Sequence, residues 1–394
     1  MESPRCARGI DPDRAGPAAL LRAAGPAVAL VAVLLAIVPS MAAAQSMSVV
    51  LPASGPAVDA WQALEAGRLR EAEQLFSKAL VASPDDTAAL LGAAVVGRRL
   101  GQVGPARQWL TRALQIDPSL TSASLLLATM SRESGDLESA LRAYEAALVR
   151  APDTLELKTG AEACRAELAH LTRWPGDLGG ETRLYFDGPV DEATARLALE
   201  SAARARERIG SALGITAPDR VTVVLVTSTA TRIIDKEIPE WSSSQFDGRI
   251  RMQVRPPVKD RAEFERMLTH ECVHAVLRGV APSGVPRWIE EGMAALLEPD
   301  GLARARRDLG TQTLLPFASL ERSFASLPAA VVTTAYAQSA FAVARIIQRV
   351  GVPGVLGLMR DLTAGDRFAD AFRSRVGVSY EEFQREFAAS RRGR

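Results

Sequence analysis

The chain has 394 residues, of which 47% are hydrophobic, with 47 basic and 46 acidic side chains. That balance builds packed cores over two or three domains and excludes a disordered chain. A net charge near zero and only 5% aromatic residues argue against nucleic acid as a partner and against an anionic membrane surface.

The first residues carry Arg5, Arg8, Arg14 and Arg22, then an apolar run over 27–38, then Ala42, Ala43 and Ala44. A basic head, a short hydrophobic stretch and a small-residue exit form a secretory signal peptide over 1–44. The run falls short of the about 20 residues of a membrane span. The chain is therefore expected in the periplasm or outside the cell, with no span left after cleavage. An uncleaved anchor is the alternative. Cleavage after Ala44 leaves 43 basic and 43 acidic residues. Cys164 and Cys272 are then expected to be free and buried, because no CxxC spacing pairs them.

Next come three repeats. Gly67, Gly101 and Gly135 keep a step of 34 residues, as do Pro84, Pro118 and Pro152, and also Ala72, Ala106 and Ala140. Each Gly suits the left-handed end of a first helix. Each Ala lets two helices approach, and each Pro stops the second. First helices are predicted at 58–66, 87–100 and 121–134, with a capping helix over 155–171. The spacing resembles the tetratricopeptide repeat, over about 59–171. That resemblance implies either a concave surface for a peptide or protein partner or a helical spacer. His170, on the capping helix, is read as a surface residue.

Residues 174–180, Trp-Pro-Gly-Asp-Leu-Gly-Gly, read as a linker, so each half is expected to fold alone. Beyond it the patterns give a strand at 182–186, a helix at 191–213, a buried strand at 221–226, a short helix at 228–236 and an alternating strand at 248–254. Helices follow to the end of the chain, at 259–278, 286–298, from 335 onward, and at 352–362, 368–376 and 380–389. Strand, helix, strand, strand and then helices make an α+β unit with a small mixed or antiparallel sheet.

The helix 260–278 contains His270-Glu271-Cys272-Val273-His274, an HExxH motif. At about 100° per residue the two imidazoles lie about 40° apart and can share one metal ion. Glu271 lies about 60° from His274, within reach of a water at that ion. Cys272 points about 160° away and reads as core packing, not as a ligand. A catalytic zinc needs a third protein ligand, and no further His lies near. Downstream stands Pro286-Arg-Trp-Ile-Glu-Glu-Gly-Met-Ala-Ala-Leu-Leu-Glu298, sixteen residues separating His274 from Glu291. Glu290 and Glu291 are both candidates. Adjacent residues diverge by about 100°, so one helix cannot aim both at one ion. Glu298, two turns on, reads as surface, and Arg287 as a weaker candidate for a substrate carboxylate.

The HExxH helix and the Trp-Ile-Glu-Glu-Gly-Met-Ala segment together resemble the gluzincin metallopeptidases, closest to the peptidase MA-like group, over about 181–390. The resemblance implies zinc (Zn2+) on His270, His274 and Glu291, with Glu271 as general base. It also implies that Tyr336, in a Tyr-x-x-Ser helix, donates to the oxyanion. The other reading of Tyr336 is a ring packed at a helix start.

The expected fold class is thus α+β, an N-terminal all-α tetratricopeptide solenoid (59–171) followed by a zincin-like metallopeptidase domain (181–390). The expected activity is hydrolysis of a peptide or protein substrate, with strand 248–254 pairing with it by strand addition. Two alternatives stand beside it. One is a repeat protein that binds or scaffolds a partner and carries an inactive or structural zinc site. The other is a zinc hydrolase acting on a non-peptide amide.

Overall fold

The structure is a computed structural model that describes residues 30–34, 46–50, 57–176, 181–215, 220–227 and 244–392. Most of the predicted signal peptide, including Ala42–Ala44, lies outside the described residues, as does the short helix predicted over 228–236. Within the described parts, β1 (Leu30–Leu34) pairs antiparallel with β2 (Ser46–Val50).

The repeats fold as helix pairs. They are α1 (Ala57–Glu65) with α2 (Leu69–Ala82), α3 (Thr87–Arg99) with α4 (Val103–Ile116), and α5 (Thr121–Glu133) with α6 (Leu137–Leu148). The capping helix α7 (Leu155–Leu168) completes the stack. Gly67, Gly101 and Gly135 turn each pair with φ of 74°, 78° and 76°, a conformation that a Cβ disfavours. The 34-residue step also governs packing. Phe76 and Tyr144 press their rings so close to Gly92 and Gly160 that a methyl there would lie 2.1 and 2.5 Å from ring atoms. At the equivalent step in the middle repeat the pair is Leu110 and Leu126, both buried. A ring opposite glycine and a leucine opposite leucine fill the same space in two ways.

The second unit opens earlier than the linker pattern suggests. β3 (Thr172–Arg173) pairs antiparallel with β4 (Thr182–Asp187), and the Trp174 amide donates to the Leu184 carbonyl at 2.8 Å. β4 runs parallel to β5 (Val221–Val226), across the long helix α8 (Glu192–Leu213), and β5 runs parallel to β7 (Ile250–Gln253). β6 (Ser244–Phe246) pairs antiparallel with β7, so the order is β3-β4-β5-β7-β6 and the sheet is mixed. Ile250, Met252 and Val254 turn inward together, as alternation predicts.

Helices then enclose the sheet and one another. They are α9 (Arg261–Arg278), α10 (Arg287–Leu297), α11 (Gly301–Leu309), α12 (Phe317–Leu320), α13 (Ala329–Thr363), α14 (Phe368–Val376) and α15 (Tyr380–Arg392). Helix α13 begins before Ala335 and runs past the predicted gap, bent at Gly351, whose φ is 71°. It is long and apolar enough to cross a membrane by length and composition alone. Here it packs on α10, α11 and α14, and Ala335, Ala342, Val343 and Ile346 are buried in the core. Overall the fold is mostly helical with a small sheet.

The two units meet along the turn edge of the repeats, so the halves that the linker pattern separates share a contact. A methyl on Gly101 would stand 2.9 Å from the Gly279 carbonyl oxygen, just past the end of α9. The Thr222 hydroxyl donates to the Gly135 carbonyl at 3.2 Å. Arg183 pairs with Asp136 at 2.5 Å, and Arg70 pairs with Asp361 and Asp366 at 2.6 and 2.8 Å. At the centre, Arg249 and Arg251 share Glu167 of α7 and Asp247 of the β6–β7 turn. Burial alone would push the carboxyls of Glu167 and Asp247 up, but the two guanidinium groups outweigh it and hold both below the usual range.

Removing one partner from such a buried cluster leaves charge uncompensated. Glu167→Ala is expected to cost about 3 kcal/mol, read as a lowered urea midpoint of the full chain with an unchanged slope. A fragment starting at Glu181 loses β3, Asp136 and Glu167 together. It is expected to be soluble only as a poorly cooperative species by thermal melting.

Candidate metal centre

Helix α9 starts on Asp260, whose side chain accepts from the Glu263 amide at 2.9 Å, a standard N-terminal cap. Ten residues on, His270 and His274 leave the same face, with Nε2 atoms 3.3 Å apart. Glu291, on α10, brings Oε2 to 3.0 Å from His270 Nε2 and 3.4 Å from His274 Nε2. One ligand atom from each of the three lies within 4.8 Å of the others. The choice between neighbours falls to Glu291, which is buried at 1% exposure. Glu290 turns to Arg287 Nη1 at 3.2 Å, and burial raises its carboxyl above the ordinary value.

The spacing fits a small tetrahedral cation. At metal–ligand bonds of about 2.0–2.1 Å, tetrahedral neighbours stand about 3.3–3.4 Å apart, close to the distances found. The protonation chemistry allows either a proton or a metal ion. His270 Nδ1 donates to Glu298 Oε1 at 2.8 Å, which leaves the Nε2 lone pair facing the Glu291 carboxylate. Two lone pairs at 3.0 Å require a positive charge between or beside them. A proton can supply it: burial alone would lower the His270 pKa, but its hydrogen bonds to Glu291 and Glu298 carry it up to about 10. A divalent ion satisfies all three atoms at once. These three residues are therefore the ones that could hold a metal.

Glu298 corrects the surface reading. It is buried, and its second oxygen receives Arg266 Nη1 at 3.0 Å. The signal was present in the sequence: seven residues make nearly two full turns, so Glu298 falls within about 20° of Glu291 on the helix wheel. An imidazole held by a carboxylate at its far nitrogen has a fixed tautomer and a more basic near nitrogen. Ser244 is a second residue that sequence reasoning missed. Its hydroxyl donates to Glu271 Oε1 at 2.9 Å from strand β6, a contact that the adjoining sequence pattern does not announce.

The remaining candidates fall into place. Glu271 is buried one residue from His270. The Tyr336 ring stands edge-on to His270, centroids 5.7 Å apart, and edge-on to Phe324 at 5.2 Å. Burial, reinforced by Glu291, raises the phenol above its ordinary value, so it keeps its proton at neutral pH. These ring contacts fit the reading of Tyr336 as a packed ring. Cys272 is fully buried in the core and burial pushes its thiol up to about 12, consistent with packing and not ligation. Arg287, the weaker candidate for a substrate carboxylate, is half-exposed and turns its terminal nitrogens to Glu290 at 3.2 Å and Glu291 at 2.5 Å.

Gly292 explains how close α10 and α13 come. A methyl there would stand 2.5 Å from the Ser339 carbonyl oxygen and 2.6 Å from Val343. No side chain fits, and the two helices that cross there carry Glu291 and Tyr336, each in contact with His270.

The family model described as tetratricopeptide repeat matches residues 63–128. The chain carries tetratricopeptide repeats. Among solved structures it is similar to the first such domain of Spaghetti (RPAP3) bound to an HSP90 peptide, at 21% identity over 29% of this chain and 90% of that one, TM-score 0.28. It is similar to the repeat domain of Sgt2 from Aspergillus fumigatus, at 20% identity over 29% of this chain and 78% of that one, TM-score 0.28. It is also similar to a mutant O-GlcNAc transferase of Thermobaculum terrenum, at 16% identity over 57% of this chain and 48% of that one, TM-score 0.27. The repeat assignment rests on the family match and the observed helix pairs, not on these low scores. No curated protein matches the chain.

Two measurements check the site. Glu298→Gln keeps the shape but weakens the hold on Nδ1, and is expected to lower zinc affinity about 10- to 100-fold in a competitive chelator titration. Gly292→Ala forces α10 away from α13. It is expected to cost about 1–3 kcal/mol by thermal or urea unfolding and to weaken zinc binding in the same titration.

Proposed function

We propose that the protein is an exported zinc-dependent peptidase whose repeats bind a protein partner or substrate. The observation that carries the peptidase reading is the convergence of His270, His274 and Glu291 at tetrahedral spacing with Glu271 beside them. A zinc ion held there would supply Lewis acidity and bring the pKa of a water toward about 7. Glu271, hydrogen-bonded by Ser244, accepts a proton from the attacking water and returns it to the leaving amine. Tyr336, protonated and beside His270, donates to the developing oxyanion. His270 and Glu291 are locked by Glu298 and Arg287, so the site is organised before substrate arrives.

An extended substrate would add along β6. The strand-addition expectation placed it on 248–254, but β7 is paired on both sides, by β5 and β6. Among the described residues β6 is an outer strand, at the opposite edge from β3, and it carries Ser244 against Glu271. An edge strand offers unpaired backbone groups to a peptide.

A second reading is favoured by the family match. The tetratricopeptide repeats suggest a protein-interaction or scaffold role, with the His–Glu cluster retained as a structural site. The two readings differ at Glu271, since a structural ion needs no base. Because the repeats abut the end of α9, a bound partner is held at a fixed place relative to the cluster and not on a flexible tether.

The deciding experiment uses the mature full-length chain. Wild type is expected to hold about one zinc by elemental analysis and to cleave an unfolded protein substrate in a chelator-sensitive way. Glu271→Gln is expected to keep the zinc and lose nearly all cleavage. Zinc without cleavage in wild type would favour the scaffold reading, and no zinc at all would sink the peptidase.

A further inference from the structure

We infer that Arg287 is a positioning residue that divides the Glu291 carboxylate, holding one oxygen so that only the other is offered to the metal. This rests on the metal reading above. Arg287 Nη2 lies 2.5 Å from Glu291 Oε1, while Oε2 faces His270 and His274 at 3.0 and 3.4 Å. The two oxygens of one carboxylate thus have separate employers. A carboxylate free at both oxygens can swing to bind an ion through both, and would then occupy the position a catalytic site leaves for water.

The geometry makes the division stiff. Arg287 and Glu291 are four residues apart on α10, the spacing at which helical side chains meet. Glu290 holds Nη1 at 3.2 Å from the same helix, and the Arg287 amide donates to the Glu321 carbonyl at 3.3 Å. The backbone, the guanidinium and the carboxylate are therefore fixed in one frame, set by the close crossing of α10 and α13 at Gly292. A planar guanidinium has two terminal nitrogens in a fixed fork, whereas an ammonium is a single point that cannot keep both carboxylates in place.

The test is metal binding and its spectrum, independent of turnover. Mature full-length wild type, Arg287→Lys and Arg287→Met are titrated with zinc against a competing chelator and with cobalt(II) as a spectroscopic probe. Wild type is expected to show the intense visible bands of four-coordinate cobalt. Arg287→Met is expected to bind zinc about 10- to 100-fold more weakly and to show the weaker bands of a five-coordinate ion. Arg287→Lys, which restores charge without the fork, is expected to recover part of the affinity but not the spectrum. If Arg287→Met fails to fold by circular dichroism, the Lys variant carries the test through its spectrum alone. Variants with wild-type affinity and an unchanged cobalt spectrum overturn the inference while leaving the metal site standing. Wild type that takes up neither metal overturns the metal reading, and this inference with it.

Discussion

Three lone-pair atoms crowd one small space, and a positive charge must join them. Nε2 of His270, Nε2 of His274 and Oε2 of Glu291 stand 3.0 to 3.4 Å apart. Lone pairs so close and so buried repel unless a proton or a metal ion lies among them. The surroundings are arranged to keep the three there. Glu298 fixes the tautomer of His270, Arg266 fixes Glu298, and Arg287 holds the far oxygen of Glu291. Arg287 and the two imidazoles hold the Glu291 carboxyl well below its usual range against the opposing effect of burial. Charge alternates outward from the centre, which is how a low-dielectric interior keeps several ionised groups.

The scaffold that supports this charge arrangement extends through both units. Helix α9 carries both histidines, and its C-terminal end abuts the Gly101 turn of the second repeat. The third repeat turn meets β5 through Thr222, and α7 reaches the β6–β7 turn through Glu167. The junction buries arginines and carboxylates together, so charges of each unit are shared with the other. Such a junction sets where the repeats' remaining surface faces relative to β6 and the His–Glu cluster.

Much of this was legible from residue spacing. The step of 34 located the repeats because each helix pair must meet its neighbour in the same way. The i, i+4 histidines and the intervening Glu located the cluster because helix geometry is nearly invariant. Alternation at Ile250, Met252 and Val254 located the buried face of β7. Other features were misread for identifiable reasons. Glu298 reads as surface from its place at the helix end, although its helical phase matches Glu291. The Trp174 stretch reads as linker because Pro and Gly dominate it, yet the two residues before it form a strand on β4. The edge position of β6 follows from pairing across the sheet, which no single strand encodes.

Local hydrogen bonding fixes helix period and strand alternation, so the sequence by itself determined the repeat unit, the faces of α9 and α10, and the pairing of His270 with His274 and Glu271. It also narrowed the third donor to two adjacent carboxylates. Which one enters the cluster depends on how α10 crosses α9 and α13, and that crossing is set by Gly292 against Ser339, residues 47 positions apart in the chain. The roles of Ser244, Glu298 and Arg287 and the docking of the repeat turns were likewise decided only in the tertiary structure. Each depends on a contact between segments whose distance in sequence carries no trace of their distance in space.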